Sequence, residues 1–357
     1  MTAVDVEIHG GGIFGLAIAW SCRRLGATVR IVESRRIGAG ASGGPVGALA
    51  PHAPDGWNSR KQFQLESLLM AKAWWGDIRE SSGIDPGYCR SGRLQPVPDR
   101  LGRTSLEQER ARQAGRNWMR QASWLVETAA GDWMPASPTG LVVRDTLSAR
   151  LHPVQALRCL ASALRNSGCK IIEGDAAARD AGARVWATGI DGLRHLNRTF
   201  GRQIGTAEKG QAMLLAHDAR HLPQIFGDGV HVVPHFDGTA AIGSTSEREF
   251  DVPLQVDGRL DDLHRRATRL VPAIAGAPVI ARWAGIRPRA VTRAPLLGPF
   301  PGKDGNFIAN GGFKIGLGIA PGVGTTMAEL ILEGRDRIPP EFRLEPLLDQ
   351  PAATPRP

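Results

Sequence analysis

Cysteine is scarce in this chain: Cys22, Cys89, Cys159 and Cys169 are the only four among 357 residues. No two of them form a CxxC pair, and their spacing matches neither a zinc site nor a disulfide framework. Free thiols suit a reducing compartment, so the expected location is cytoplasmic. Long apolar runs are missing as well. None approaches the roughly 18 residues that a membrane helix needs, so no membrane partner is expected. Residues 1–7 carry Asp5 and Glu7 and no basic segment, which argues against a signal peptide. Lysine is rare too: six residues supply only a small part of the 44 basic side chains, and arginine supplies the rest. Against 35 acidic residues this leaves a formal net charge of +9. Such a charge suits an anionic partner, although an Arg-rich coding bias produces the same number. Apolar residues at 42% and charged residues at 22% exclude wholesale disorder. The length suggests about two domains.

The opening reads as a βαβ unit. Residues 4–8 alternate as a short strand, 13–25 form an Ala-, Leu- and Ile-rich helix stopped by Gly26, and 27–33 form a second strand. A helix is expected over 59–82, with Gly83 as its stop. A second begins at the capping box Thr104-x-x-Glu107 and runs to about residue 130, before Pro135 and Pro138. His152-Pro153 opens another, ended by Gly168. Strands follow at 170–173 and 184–187. Between Gly210 and Arg287 the texture is β-rich, with strands at 212–215, 230–234, 239–242 and 279–283 and one helix at 260–270. The last helix is expected from Pro321 to Leu332. Six prolines between 339 and 357 suggest a loose tail. This order predicts a discontinuous nucleotide-binding domain and a sheet-based second domain inserted in pieces.

Gly10-Gly11-Gly12-Ile13-Phe14-Gly15 matches GxGxxG between the first strand and its helix. Gly10 makes the tight turn, Gly12 lets the backbone approach a pyrophosphate, and Gly15 lets the helix pack on the strand. The exposed N–H groups and the helix dipole favour phosphate charge. Glu33 follows 18 residues after Gly15, where an acid accepts hydrogen bonds from ribose hydroxyls. These features indicate adenine dinucleotide binding without separating NAD from FAD. The small residues at 36–44 and 47–51 would let backbone amides reach a diphosphate and a flat ring; the structural alternative is a flexible Gly/Ser loop.

Further along, Gly40-Ala41-Ser42-Gly43-Gly44, Trp186-Ala187-Thr188-Gly189, Lys209-Gly210-Gln211, Val232-Val233-Pro234, Ile242-Gly243-Ser244-Thr245-Ser246-Glu247, Trp283-Ala284-Gly285-Ile286-Arg287-Pro288 and residues 311–321 occur in order. This ordered set resembles the glycine oxidase/D-amino-acid oxidase (DAO) family of FAD-dependent amine oxidoreductases, from about Val4 to Gly334. That family includes the oxidoreductase domain of the bifunctional tRNA wobble-uridine modification enzyme. The resemblance implies an α/β (α+β overall) fold, with a Rossmann-like FAD-binding domain and a discontinuous antiparallel-sheet substrate domain. The FAD-binding domain would comprise 1–82, 150–208 and 288–338. The substrate domain would comprise 83–149 and 209–287, followed by a Pro-rich tail at 339–357. Non-covalent FAD would lie against Gly10, Gly12, Ile13, Phe14, Gly15, Glu33, Ser34, Arg35, Ala41, Ser42, Gly47, Ala48, Leu49, Ala187, Thr188, Gly189, Gly312, Phe313, Lys314, Ile315 and Gly316. Backbone N–H groups from Ile319-Ala320-Pro321-Gly322-Val323-Gly324, opening the last helix, would stabilise the reduced ring. No metal is implied.

The family oxidises a C–N bond of an amine or amino acid, usually with dioxygen as the final acceptor. Arg287, at the WAGxRP position, would bind a substrate carboxylate through two parallel hydrogen bonds. Lys314 is a second candidate, and His52 and His235 fall near the cleft; the alternative for each is a structural role. Trp57 and Trp283 would wall the pocket or sit in a core. The family commonly places tyrosines at its substrate site, whereas Tyr88 is the only tyrosine here. Two other functions stay open. A tRNA-modifying flavoprotein would remove a carboxymethyl group from a carboxymethylaminomethyl uridine, with Arg112, Arg116 and Arg120 as a phosphate-facing helix stripe. A non-catalytic protein would hold FAD for stability alone.

Overall fold

The computed structural model describes residues 4–174 and 180–349. Its first sheet has the strand order Leu296–Pro299, Asn306–Asn310, Ala181–Trp186, Val4–His9, Val29–Glu33, Lys170–Glu173. All pairs are parallel except Leu296–Pro299 with Asn306–Asn310 at one edge. Val6 and Ile8 of the central strand face the helix Ile13–Arg24, which is buried from Ile13 through Cys22, as a sequence apolar but for Gly15 and Ser21 requires. Glu7 points to the opposite face yet is fully buried, because Arg30 and His9 bond its carboxylate. The helix Ser59–Ser82 is capped by the Asn58 side chain accepting from Lys61 N–H and ends at Gly83. His152 caps Pro153–Asn166 in the same way.

The last helix differs from the expectation. It begins at Gly316, not Pro321, and runs to Glu333 with Pro321 inside it. Proline removes one ladder donor and crowds the preceding turn. Ser67 repairs the break: its hydroxyl donates to Gly318 O (3.0 Å) and accepts from Gly322 N–H (3.0 Å). The stretch 319–324 is therefore buried helix interior.

The second sheet has eight strands, in the order Val279–Ala290, Gly205–Ala216, Thr239–Gly243, Val230–Pro234, Gln224–Gly227, Arg93–Pro96, Leu141–Asp145, Trp124–Thr128. It is antiparallel except where Gln224–Gly227 meets Arg93–Pro96 in parallel. The ribbon of Gly205–Ala216 with Val279–Ala290 is twelve residues long on each side, well beyond the short strands expected there. The helix expected from Thr104 is Arg103–Asn117 only. Trp118 is fully buried, Met119 and Arg120 adopt left-handed φ angles of 50° and 57°, and the chain returns as the strand Trp124–Thr128. Glu107 makes no capping box; its carboxylate accepts from Trp124 Nε1 (3.1 Å) and pairs with Arg103 and Arg110. Strands Arg93–Pro96 and Leu141–Asp145 and the helix Gly189–Thr199 were not apparent in the sequence. The segment expected as a loose tail packs through residue 349: Phe342 and Leu344 are buried, and Phe342 meets Phe63 edge-on at 5.2 Å. The expected tail residues 350–357 lie outside the described residues. No helix among those described is long and apolar enough to cross a membrane.

Candidate active site

The C-terminal end of the strand Val4–His9 turns sharply at Gly10, whose φ is +117°. A Cβ there would sit 2.3 Å from the Ala187 carbonyl oxygen, and one at Gly15 would sit 2.0 Å from Gly10 O. Only glycine lets the two strands and the helix meet this closely. The Glu33 carboxylate accepts from Gly11 N–H (2.6 Å) and Arg35 N–H (2.9 Å). Ser42, in the short turn Ala41–Gly43, accepts from Ile13 N–H (3.0 Å) at the helix start.

These groups open onto a cavity of about 550 Å³. Gly10, Gly12, Ile13, Phe14, Glu33, Ser34, Arg35, Ala41, Ser42, Ala48, Ala187, Thr188 and Gly189 line one end. Gly312, Phe313, Lys314, Ile315 and Gly316 line it too, together with His52 and Arg287. The last helix presents its first turn, Gly316, Leu317 and Gly318, to the cavity, and 319–324 are not among the lining residues. Three expected contacts fall outside. Gly15 serves helix packing, Gly47 is pressed against Leu151 O, which its Cβ would meet at 1.8 Å, and Leu49 is fully buried in the core.

The other end is built on the second sheet. Register pairs Glu208 with Arg287, Gly210 with Gly285 and Ala212 with Trp283, so the side chains of Trp283 and Arg287 share one face. Gly210 clears the space: a Cβ there would lie 2.0 Å from Arg287 Nη2. Arg287 is 8% exposed. It donates from Nη1 to Thr245 O (3.0 Å) and from Nη2 to Ser244 Oγ (2.5 Å). Among the described residues no carboxylate forms an ion pair with it. Burial pulls its pKa below the usual guanidinium value, opposed by Glu208 and Glu247. Glu208 lies instead 3.8 Å from Lys314 Nζ and 3.6 Å from Arg289 Nε, and accepts from the Ser246 hydroxyl. Burial, then Arg287, lowers the Lys314 pKa.

His52 is held by Gln64. Its backbone N–H and its Nδ1 both meet Gln64 Oε1, while Gln64 Nε2 donates to Ala50 O. Since that amide oxygen only accepts, Nδ1 carries the proton and Nε2 keeps a lone pair. Burial lowers the His52 pKa and favours this neutral form. His235 and Trp57 do not line the cavity. His235 packs on His152 with ring centroids 4.6 Å apart, and Trp57 donates to Gln62. Trp283 does line it, its ring over Gly285 and against Gly44.

Arg93 and His231 line the cavity and had no recognisable motif. Arg93 is buried and paired with Asp145 (2.8 Å). His231 faces Phe226 across the strands; its Nδ1 has no partner among the described residues, and burial drives its pKa to about 3. The strand alternation placed His231 opposite Val232, but nothing in the sequence told which face met the cavity. The motifs at 209–211 and 245–247 bond one another instead of lining the cleft. Gln211 Nε2 donates to Glu247 Oε1 (2.9 Å) and Asp257 Oδ1 (2.8 Å), and Lys209 pairs with Asp257 (3.2 Å). The Gln211 bond is the main cause of an Asp257 pKa of about 2.

A glycine cradle at the ends of parallel strands, an acid beside it, and a cavity continuing to a second sheet define a dinucleotide-dependent oxidoreductase. The chain belongs to the DAO family, FAD dependent oxidoreductase, whose model matches residues 5–330. It is similar to the glycine oxidase of Bacillus licheniformis, 26% identical over 92% of this chain and 93% of that protein. The glycine oxidase of Geobacillus kaustophilus is 27% identical over 92% of each. The crystal structure of glycine oxidase from Geobacillus kaustophilus has the same fold, with a TM-score of 0.80, 23% identity, and coverage of 96% of this chain and 99% of that one. The cofactor is therefore FAD, and the residues fit it. The positions where a Cβ would close the cradle are glycines, Glu33 stands at its rim, and the last helix points its positive end into the cavity.

Proposed function

We propose that this protein oxidises the C–N bond of an amine or amino acid bearing a carboxylate, with non-covalently bound FAD. Residues 1–82, 150–208 and 288–338 form the FAD-binding part, and 83–149 with 209–287 form the substrate part. The observation that carries the reading is Arg287: a buried guanidinium with no carboxylate ion-pair partner among the described residues, lining a cavity that also holds the dinucleotide cradle. Burying such a charge unpaired is costly unless a ligand completes it. The glycine oxidase relatives support an amino-acid substrate.

Bound FAD would supply the acceptor for the hydride of the amine carbon. Arg287 binds the carboxylate and fixes which carbon faces the reacting ring. The amine nitrogen loses a proton, and water then converts the imine to a carbonyl and a free amine. His52 Nε2 offers a lone pair inside the cavity that can hold that proton. Trp283 lines the same cavity. The first turn at Gly316 would hold the cofactor against its backbone N–H groups, where negative charge is favoured. Dioxygen is the proposed final acceptor, and the cytoplasm the proposed location. Of the two features that suggested an RNA-borne substrate, the net charge of +9 and the arginine stripe, the stripe is broken: Arg120 lies beyond the helix end, and Arg112 and Arg116 both pair with Glu109.

Sarcosine and dimethylamine test the reading, since they differ by the carboxylate alone. Anaerobic sarcosine should bleach the flavin and dimethylamine should not. Equal bleaching by both would remove the carboxylate from recognition. A flavin that no amine reduces would favour the non-catalytic alternative.

A further inference from the structure

The Arg287 end of the cavity holds more positive charge than one carboxylate needs. Arg287 is one unpaired cation. Lys314 is another. Its Nζ makes no hydrogen bond among the described residues, and its nearest carboxylate, Glu208, lies 3.8 Å away. That single carboxylate is divided among Lys314, Arg289 and the Ser246 hydroxyl, so it neutralises Lys314 poorly. The ammonium stands 5.3 Å from the centroid of the Phe313 ring. Phe313 holds a φ of +44°, a costly conformation for an aromatic residue. The chain thus maintains a strained turn next to a lysine whose three donors are unspent.

We propose that the substrate is a dicarboxylic amine, with one carboxylate on Arg287 and the second on Lys314. This rests on the reading of the cavity as a carboxylate-amine site. The two cations differ in a way that assigns their tasks. Arg287 is rigid and buried, suited to the carboxylate that sets the reacting carbon. Lys314 is half-exposed on a flexible stem, suited to a second carboxylate on an arm of variable length. That second carboxylate comes either from an acidic side chain, as in aspartate, or from an N-carboxymethyl arm.

The test uses the FAD-loaded protein and inert carboxylates, read by perturbation of the flavin spectrum and by the shift in melting temperature. Malonate should bind at least about tenfold more tightly than acetate, 1.4 kcal/mol, beyond the twofold gain expected from having two identical ends. In Lys314→Met the malonate-to-acetate ratio should fall to near that statistical factor, and Lys314→Arg should restore it. A wild-type ratio of two or less, or a tenfold ratio that survives Lys314→Met, overturns the proposal. Acetate binding and sarcosine reduction without a malonate gain would sink this inference alone. If acetate, malonate and every amine are inert, the underlying carboxylate-amine reading fails with it. Comparing aspartate with N-(carboxymethyl)glycine as reductants then tells the two sources of the second carboxylate apart.

Discussion

Replacing Arg287 by alanine should weaken flavin reduction while leaving FAD in place. The guanidinium is 8% exposed and already oriented by Thr245 O and Ser244 Oγ, so little ordering remains to be done on binding. Truncating one partner of a desolvated charge pair costs about 2–5 kcal/mol, or about 30- to 5,000-fold in the apparent second-order reduction rate. Burial places Arg287 toward the upper end. Fold and function separate in Arg287→Met. That variant leaves the Thr245 carbonyl short of a donor, a loss near 1 kcal/mol, but removes a charge that had no carboxylate partner. Its melting temperature should therefore stay close to wild type while reduction collapses. Stopped-flow mixing with substrate under anaerobic conditions gives the rate, and flavin absorbance per protein gives the occupancy. Reduction within threefold of wild type in both variants, at full flavin content, would refute the assignment.

The other predictions concern the cradle, the broken helix and pH. Glu33→Ala should lower FAD retention through gel filtration, because the acid at the cradle rim is lost along with the anchor for Gly11 and Arg35 N–H; full occupancy would defeat its ribose role. Ser67→Ala should destabilise the fold by about 1–3 kcal/mol by leaving Gly318 O and Gly322 N–H unpaired inside the protein; an unchanged urea midpoint would show that the helix closes around Pro321 unaided. Lys314 is charged below its pKa and neutral above it. Since that pKa is lowered by burial and by Arg287, any preference for dianions should fade with rising pH before the ordinary lysine range is reached. A preference that is flat to the ordinary lysine range would contradict this.

The glycine cradle was legible because each of its parts is a local backbone necessity: a tight turn at Gly10, a close helix at Gly15, an acid at a strand end. Arg287 was legible through its ordered motif, not through charge, since arginine is abundant here. The helix stop after Asn117 was not. It depends on Trp118 and Trp124 packing together, a tertiary gain that overrides a locally helical sequence. The start of the last helix was misread because Pro321 looked like a first-turn proline. Ser67, some 250 positions earlier in the chain, makes the interior position tolerable. Gly47 and Leu49 were assigned to the cofactor because small and apolar residues near a glycine loop look alike in sequence. The close approach of Gly47 to Leu151 O and the full burial of Leu49 put both in packing. Arg93 and His231 were invisible for the complementary reason, since strand alternation does not say which sheet face meets the cavity.

The most direct measurement is the visible absorbance of the purified protein before and after anaerobic addition of a carboxylate-bearing amine, followed by air. The flavin spectrum should bleach with the amine and return with oxygen. A colourless protein that takes up no FAD would contradict it.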